Sequence, residues 1–408
     1  MTSRDTHRWM VRNVNVVTPV EVVRDGYVTI RDGIIEHVGT TPAGEEATLP
    51  SVDGQGSWLL PGFIDLHNDA IEKEIEPRPN AFIPVEIAFF ALEHRLVSHG
   101  VTSIYHSLSF ASNEFGVRSL DRVETIVREL HSLGAAGRIR HLVHGRYEIT
   151  DERACDVLAP LIDDGFIDLL SLMDHTPGQG QFRQLEDYAN FMSATYQRDR
   201  TEIAKFVEQK QAVREVAALA YIERLTCKAK ARGIRIASHD DDTARKVQMM
   251  QERGITLSEF PVTLEAARAA TESEMGVIVG APNVVRGGST SNNLKASDAI
   301  LNGVAQILCS DYMPSSILHA VFTLHFRHGM PMYEAVNMAS LNPARALGLE
   351  STSGSISPGK LADFSLVRLH QKTPIVERVF VGGTQVLYVG DGAHKRAVQP
   401  AKQGVVQS

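Results

Sequence analysis

The chain reads as an α/β protein, a (β/α)8 barrel of the TIM type joined to a small β-sandwich built from both chain ends. Two observations predict this. Between residues 60 and 345, eight apolar runs of strand length alternate with segments of helical period. At both ends of the chain strand-like alternation continues with no helical period between the runs.

Taken in order, Trp9 to Val17 alternates, Gly26-Tyr27-Val28-Thr29-Ile30 follows a turn, and Ile34 to Val38 follows Asp32-Gly33, a hairpin signal. The far end has the same character in Ala362 to Val367 and Val379 to Leu387. One sheet unit is therefore expected from residues 1–60 plus 350–408, flanking a barrel over 61–349. The barrel runs are Phe63–Leu66, Ser103–Tyr105, His141–Val143, Ile167–Leu172, Ile234–Ala237, Ile255–Leu257, Val277–Val279 and Ile307–Leu308. Helical segments such as Ile83–Ser98, Leu120–Leu133, Thr243–Arg253 and Leu264–Ser273 separate them. Such alternation favours parallel strands with right-handed crossovers, and eight units favour closure over an open doubly wound sheet. The long interval after the fourth run predicts a helical insertion at about 182–232.

Among 408 residues, 43% are hydrophobic and 22% charged, enough apolar material for a large core. A formal charge of −8 argues against a nucleic-acid or anionic-membrane partner, because both need a basic field. Cys155, Cys227 and Cys309 are widely spaced, which suits free thiols in a reducing compartment. With no run of membrane-spanning length and no signal-like start, a cytoplasmic protein acting on a small molecule is expected, with homo-oligomerisation left open.

Barrel chemistry sits at the carboxyl ends of the strands. There the sequence places His67 and Asp69, then His106, then His144 and Glu148, Asp174 and His175, His239-Asp240-Asp241-Asp242, Glu259, and Asp311. One such residue is most often a satisfied structural side chain; a polar residue at nearly every strand end is a constellation. His67 and Asp69, two apart, share one side of a strand and could grip a cation together. Imidazole and carboxylate without thiolate suit a divalent metal, zinc first, with manganese or iron as alternatives, and their number suits two ions. Two ions would acidify a shared water and polarise an electrophile. Glu148 is the candidate bridging carboxylate, Glu259 its alternative, and Asp311 the proton acceptor and donor. Asp241 and Asp242 read better as a solvated helix start.

The pattern resembles the amidohydrolase superfamily. Pro61-Gly62-Phe63-Ile64-Asp65-Leu66-His67, Leu308-Cys309-Ser310-Asp311, and Asn342 to Leu349 leading to Gly359-Lys360-Leu361-Ala362-Asp363 carry the resemblance. Further segments are similar to the bacterial phosphonate-metabolism M protein family: Leu172 to Gln179, Ala237 to Asp241, Ser258-Glu259-Phe260-Pro261 and Gly280 to Ser289. That family hydrolyses α-D-ribose 1-methylphosphonate 5-triphosphate to the 5-phosphate and pyrophosphate. The resemblance implies a metal-ligand set of His67, Asp69, Glu148, His175 and His239, with Asp311 as acid and base.

A triphosphate needs convergent donors. Lys73, Arg78, Arg183 and Arg286 could supply charge, and Gly287-Gly288-Ser289 a nest of backbone N–H groups. No P-loop is present. Glu74, Thr290-Ser291-Asn292-Asn293 and Ala194-Thr195-Tyr196 depart from the phosphonate family's pattern and point to a related substrate as an alternative. Two further readings stay open, hydrolysis of a cyclic amide, N-acyl group or amidine at carbon, and a non-catalytic scaffold.

Overall fold

The computed structural model describes residues 8–112, 114–174, 217–289 and 293–390. Among these residues the strands form two sheets of eight. Strands β1 (Arg8–Val17), β2 (Val22–Arg31), β3 (Ile34–Gly39), β4 (Ser51–Asp53) and β5 (Trp58–Pro61) open the chain, and β14 (Phe364–His370), β15 (Thr373–Val381) and β16 (Thr384–Tyr388) close it. They share one sheet, ordered β16-β15-β14-β5-β1-β2-β3, with β4 beside β1. The chain ends meet where β14 runs antiparallel to β5, Phe364 opposite Pro61. Trp9, Leu59, Phe364 and Phe380 fill this sheet's core. The Asp32-Gly33 turn has positive φ at both residues, 51° and 82°, as a tight hairpin turn requires. A Cβ at Gly33 would also meet the Gly382 carbonyl oxygen at 2.5 Å.

The second sheet is the barrel: β6 (Phe63–Asn68), β7 (Val101–Phe110), β8 (Arg140–Glu148), β9 (Leu169–Met173), β10 (Arg235–His239), β11 (Leu257–Glu259), β12 (Gly276–Gly280) and β13 (Ile307–Cys309), each beside the next. Each of the eight predicted runs overlaps one of its strands, the sixth at Leu257 alone. The ring closes just past β13, where Asn68 and Asp311 form a parallel bridge. The Asp311 N–H donates to the His67 carbonyl at 2.9 Å and the Asp69 N–H to the Asp311 carbonyl at 3.1 Å. Side chains reinforce the seam. The buried Asp65 carboxylate accepts from the Ser310 N–H at 2.9 Å and from the Ser310 hydroxyl, while Asn68 Nδ2 donates to Ser310 Oγ at 2.5 Å. The first and last strands are thus tied together directly beneath the strand ends.

Alternation along each strand sorts the core. Ile64, Leu66, Tyr105, Leu142, Leu169, Ala237, Leu257, Ile278 and Ile307 fill the barrel interior. Residues of the opposite parity, such as Ile104, Val143, Leu172 and Val279, pack with helix residues including Phe89, Val127, Leu158 and Leu225. Strands β7 and β8 run past their predicted ends, so His106 and His144 lie inside strands. The insertion expected at about 182–232 falls within the described residues only from 217, where helix Ala217–Ala231 runs; its earlier part lies outside them.

Candidate metal centre

Above the apolar interior layer, three buried side chains from three strands converge. His67, His144 and Glu259 each bring a ligand atom within 4.8 Å of the others. His67 Nδ1 stands 3.4 Å from Glu259 Oε1, and His144 Nε2 stands 3.7 Å from Glu259 Oε2. The two rings meet edge to face with centroids 5.1 Å apart. His144 Nδ1 faces the Leu66 carbonyl at 3.0 Å and the Ser107 hydroxyl at 3.1 Å. That leaves Nε2 aimed at Glu259 without a hydrogen bond among the described residues, as is Glu259 Oε2. Buried imidazole with one nitrogen held by a carbonyl and the other open toward a carboxylate is how a metal-binding histidine is oriented.

The electrostatics agree. Burial, with the positive charge of Arg146 and then the neighbouring His239 opposing protonation, holds His67 well below the usual imidazole range. Burial also pushes His144 down to about 3, although Glu259 pulls the other way. Both rings are neutral, so these contacts are not ion pairs, and neutral imidazole is the ligating form. Two nitrogens and one oxygen, with no thiolate, fit zinc, iron or manganese.

Around the three stand further predicted residues. His239 pairs in register with Glu259 across β10 and β11, its ring centroid 5.7 Å from that of His67. Its Nδ1 lies 3.2 Å from Asp240 Oδ2. Asp311 closes the barrel beside His67, and its carboxyl is pushed up to about 7, chiefly by burial and next by the charge of Asp69, against the pull of Arg146. Asp240, Phe260 and Asp311, just past three strand ends, all have positive φ, 52°, 52° and 55°. Side chains there hold strained backbone at a site, which an ordinary loop would relax.

Comparison with known proteins decides the family. A sequence profile of the amidohydrolase family matches residues 201–387. Over 370 residues the chain is 34% identical to the α-D-ribose 1-methylphosphonate 5-triphosphate diphosphatase of Escherichia coli (strain K12), covering 89% of this chain and 95% of that protein. The chain belongs to the amidohydrolase superfamily. An imidazolonepropionase of Solibacter usitatus (strain Ellin6076) is 24% identical, covering 85% of each chain. The 5-methylcytosine deaminase of Klebsiella pneumoniae has the same fold, with a TM-score of 0.63 at 14% identity over 94% of this chain and 98% of that one.

In this amidohydrolase the remaining expected residues are placed as follows. The period-two reasoning that paired His67 with Asp69 holds only while a strand continues. Register shifts break β6, which ends at Asn68, and the Asp69 carboxylate sits 3.3 Å from the Arg118 guanidinium. Glu259, the alternative to Glu148, is the carboxylate placed between the histidines. Glu148 ends β8, buried, with the Thr150 hydroxyl donating to it at 3.1 Å. His106 faces the helix layer, its Nε2 2.9 Å from His141 Nδ1, while His141 Nε2 meets Glu93 at 3.1 Å. Asp241 is fully buried, not a solvated helix start, because it accepts the hydroxyls of Ser238 at 2.5 Å and Ser258 at 2.6 Å.

The expected phosphate nest does not form from the glycine pair. Gly287 and Gly288 both donate their N–H groups to the Asn283 carbonyl, at 3.0 and 3.1 Å, capping helix Ala281–Arg286. Lys73, Arg78 and Arg286 are exposed, and Glu74 pairs with Arg95. His175, Arg183 and Ala194-Thr195-Tyr196 lie outside the described residues, as do Thr290, Ser291 and Asn292. His144 was visible in the sequence as a strand-end residue, and its parity with Glu148 could have marked both as inward-facing.

Proposed function

We propose that this hydrolase cleaves a ribosyl triphosphate of the α-D-ribose 1-methylphosphonate 5-triphosphate type, or a related phosphorylated compound, to the 5-phosphate and pyrophosphate in phosphonate metabolism. The observation that carries the reading is the buried group of His67, His144 and Glu259. It stands in a chain that aligns with nearly the whole of a diphosphatase.

In this reading His67, His144 and Glu259 hold one divalent ion. His239, His175, Asp69 and Glu148 are the residues available for a second, with zinc the first choice and manganese or iron alternatives. Ions bound there supply Lewis acidity toward a phosphoryl oxygen and toward water. The chain's own residues do the rest. Asp311, whose carboxyl burial pushes up to about 7, takes the proton of the attacking water as it adds to the α-phosphorus. The same proton then passes to the departing pyrophosphate oxygen. Lys73, Arg78, Arg183 and Arg286 are the cations available to the outer phosphates. Gly287 and Gly288 serve as a helix cap and do not donate to the substrate. No helix among the described residues is long and apolar enough to cross a membrane, and with the spaced cysteines this supports a cytoplasmic setting.

The test is a product screen on metal-replete protein. Pyrophosphate released from the ribosyl triphosphate supports the reading. Turnover confined to amides, N-acyl compounds or amidines would keep the site and overturn the substrate.

A further inference from the structure

One residue inside the barrel was absent from the sequence reading and is unexplained by the metal centre. Arg146 lies on β8 between His144 and Glu148, with the same inward parity as both. It is 7% exposed, and neither Nε nor Nη2 has a hydrogen-bond partner among the described residues. Those two N–H groups point the same way along one edge of the guanidinium, the edge that matches two oxygens of one anion. The Glu72 carboxylate stands 3.7 Å from Nη2 and is itself held by Arg118 at 2.6 Å.

The strands on either side repeat the pattern. Ser109 of β7 and Ser171 of β9 are the register partners of Arg146. Both are almost wholly buried, and neither hydroxyl makes a hydrogen bond among the described residues. A buried guanidinium edge with no hydrogen bond, its nearest acid 3.7 Å away, and two buried hydroxyls without partners, side by side on adjacent strands, would be costly in a purely structural layer. Barrel interiors are ordinarily filled by apolar side chains, as the layer beneath is here. The row sits one inward step along the strands from Ser107 and His144, on the side where the strand ends open.

We propose that Ser109, Arg146 and Ser171 form an oxyanion cradle that binds a phosphoryl group of the substrate beside the metal centre. The inference rests on the phosphoryl-transfer reading above and adds the side chains that would hold the reacting end of the substrate. The guanidinium edge takes two phosphoryl oxygens, and the hydroxyls donate from either side.

The test titrates inorganic phosphate and pyrophosphate into zinc-loaded protein by calorimetry, with malonate as a carboxylate control. Wild type is compared with Ser171→Ala, Ser109→Ala, Arg146→Lys and Arg146→Met. Each serine variant should weaken phosphate binding by roughly tenfold, the loss of one charge-assisted hydrogen bond. Its urea midpoint should stay equal to or above that of wild type, because the hydroxyl it deletes has no protein partner. Arg146→Lys keeps the charge but not the two-pronged edge and should lose an intermediate amount, and Arg146→Met about a hundredfold. Unchanged phosphate affinity in the serine and lysine variants would overturn the cradle, as would serine variants that lose stability while binding normally. Malonate binding as tight as phosphate, and equally dependent on Arg146, would overturn the phosphoryl assignment. If phosphate binding falls as expected while wild type releases no pyrophosphate from the ribosyl triphosphate, the cradle stands and the proposed function falls. Pyrophosphate release with affinity unchanged in every variant would do the reverse.

Discussion

Replacing Glu259 by Gln should stabilise the metal-free protein and destabilise the metal-loaded one. Without a cation the Glu259 side chain is wholly buried between two neutral imidazoles, and its Oε2 makes no hydrogen bond among the described residues. An oxygen so placed costs about 1–3 kcal/mol. Gln has the same shape and no charge. Its amide N–H can turn toward the open His144 Nε2, which lies 3.7 Å from Oε2 in the wild type. In chelator the variant should therefore be more stable by about 1–3 kcal/mol. Zinc at about a thousand times its dissociation constant adds about 4 kcal/mol to wild type through binding to the native state alone. The variant, lacking the anionic ligand, should gain little, so the order of stabilities reverses. Urea unfolding of both proteins, in chelator and in zinc, reads this directly. A variant weaker than wild type in chelator, or an equal zinc gain in both, would refute the reasoning.

Three other expectations follow from particular contacts. Asp311→Asn should lower turnover by at least about a hundredfold with metal content intact, measured by kinetics and elemental analysis; loss of both would make it a ligand. At Glu93 burial pushes the carboxyl up, but donation from His141 and from the Arg138 and Ile139 N–H groups outweighs it and holds the group below its ordinary value. A depressed folded value gives stability that is present above the unfolded value of about 4.3 and lost as pH falls through the folded one. Glu93→Gln should thus cost about 1–3 kcal/mol at pH 7, a gap that closes toward acid in a series of urea midpoints. Gly287→Ala puts a side chain at a φ of 79° and should cost about 1–2 kcal/mol without changing pyrophosphate affinity, since both N–H groups of the pair already serve Asn283.

The barrel was legible because each strand is a short apolar run and each crossover a helical period, signals that survive without tertiary information. The joining of β5 to β14 was legible for the same reason, from two ends with strand character alone. The site was legible by type more than by membership. Polar residues at strand ends marked the end of the barrel where His67, His144 and Glu259 converge, but which of them converge depends on where each strand stops and bends. The end of β6 at Asn68 leaves Asp69 off the strand that carries His67, and the added length of β7 and β8 turns His106 to the helices while bringing His144 inside. Arg146 was missed because an arginine within a strand ordinarily reads as exposed, and only closure of the barrel buries it. Asp241 was misread because the chain turns at Asp240, where φ is 52°, and brings the Asp241 carboxylate back to the Ser238 and Ser258 hydroxyls, a turn that no residue pattern announces. The glycine pair resembled an anion nest because the same residue type also ends helices.

The most direct measurement is the metal content of the purified protein, wild type beside His144→Ala, after growth in zinc and removal of loosely bound ions. The account predicts about two divalent ions per wild-type chain and the loss of at least one in the variant, with pyrophosphate release falling in parallel. Wild type that retains no metal, or a variant that keeps the full complement, would contradict it.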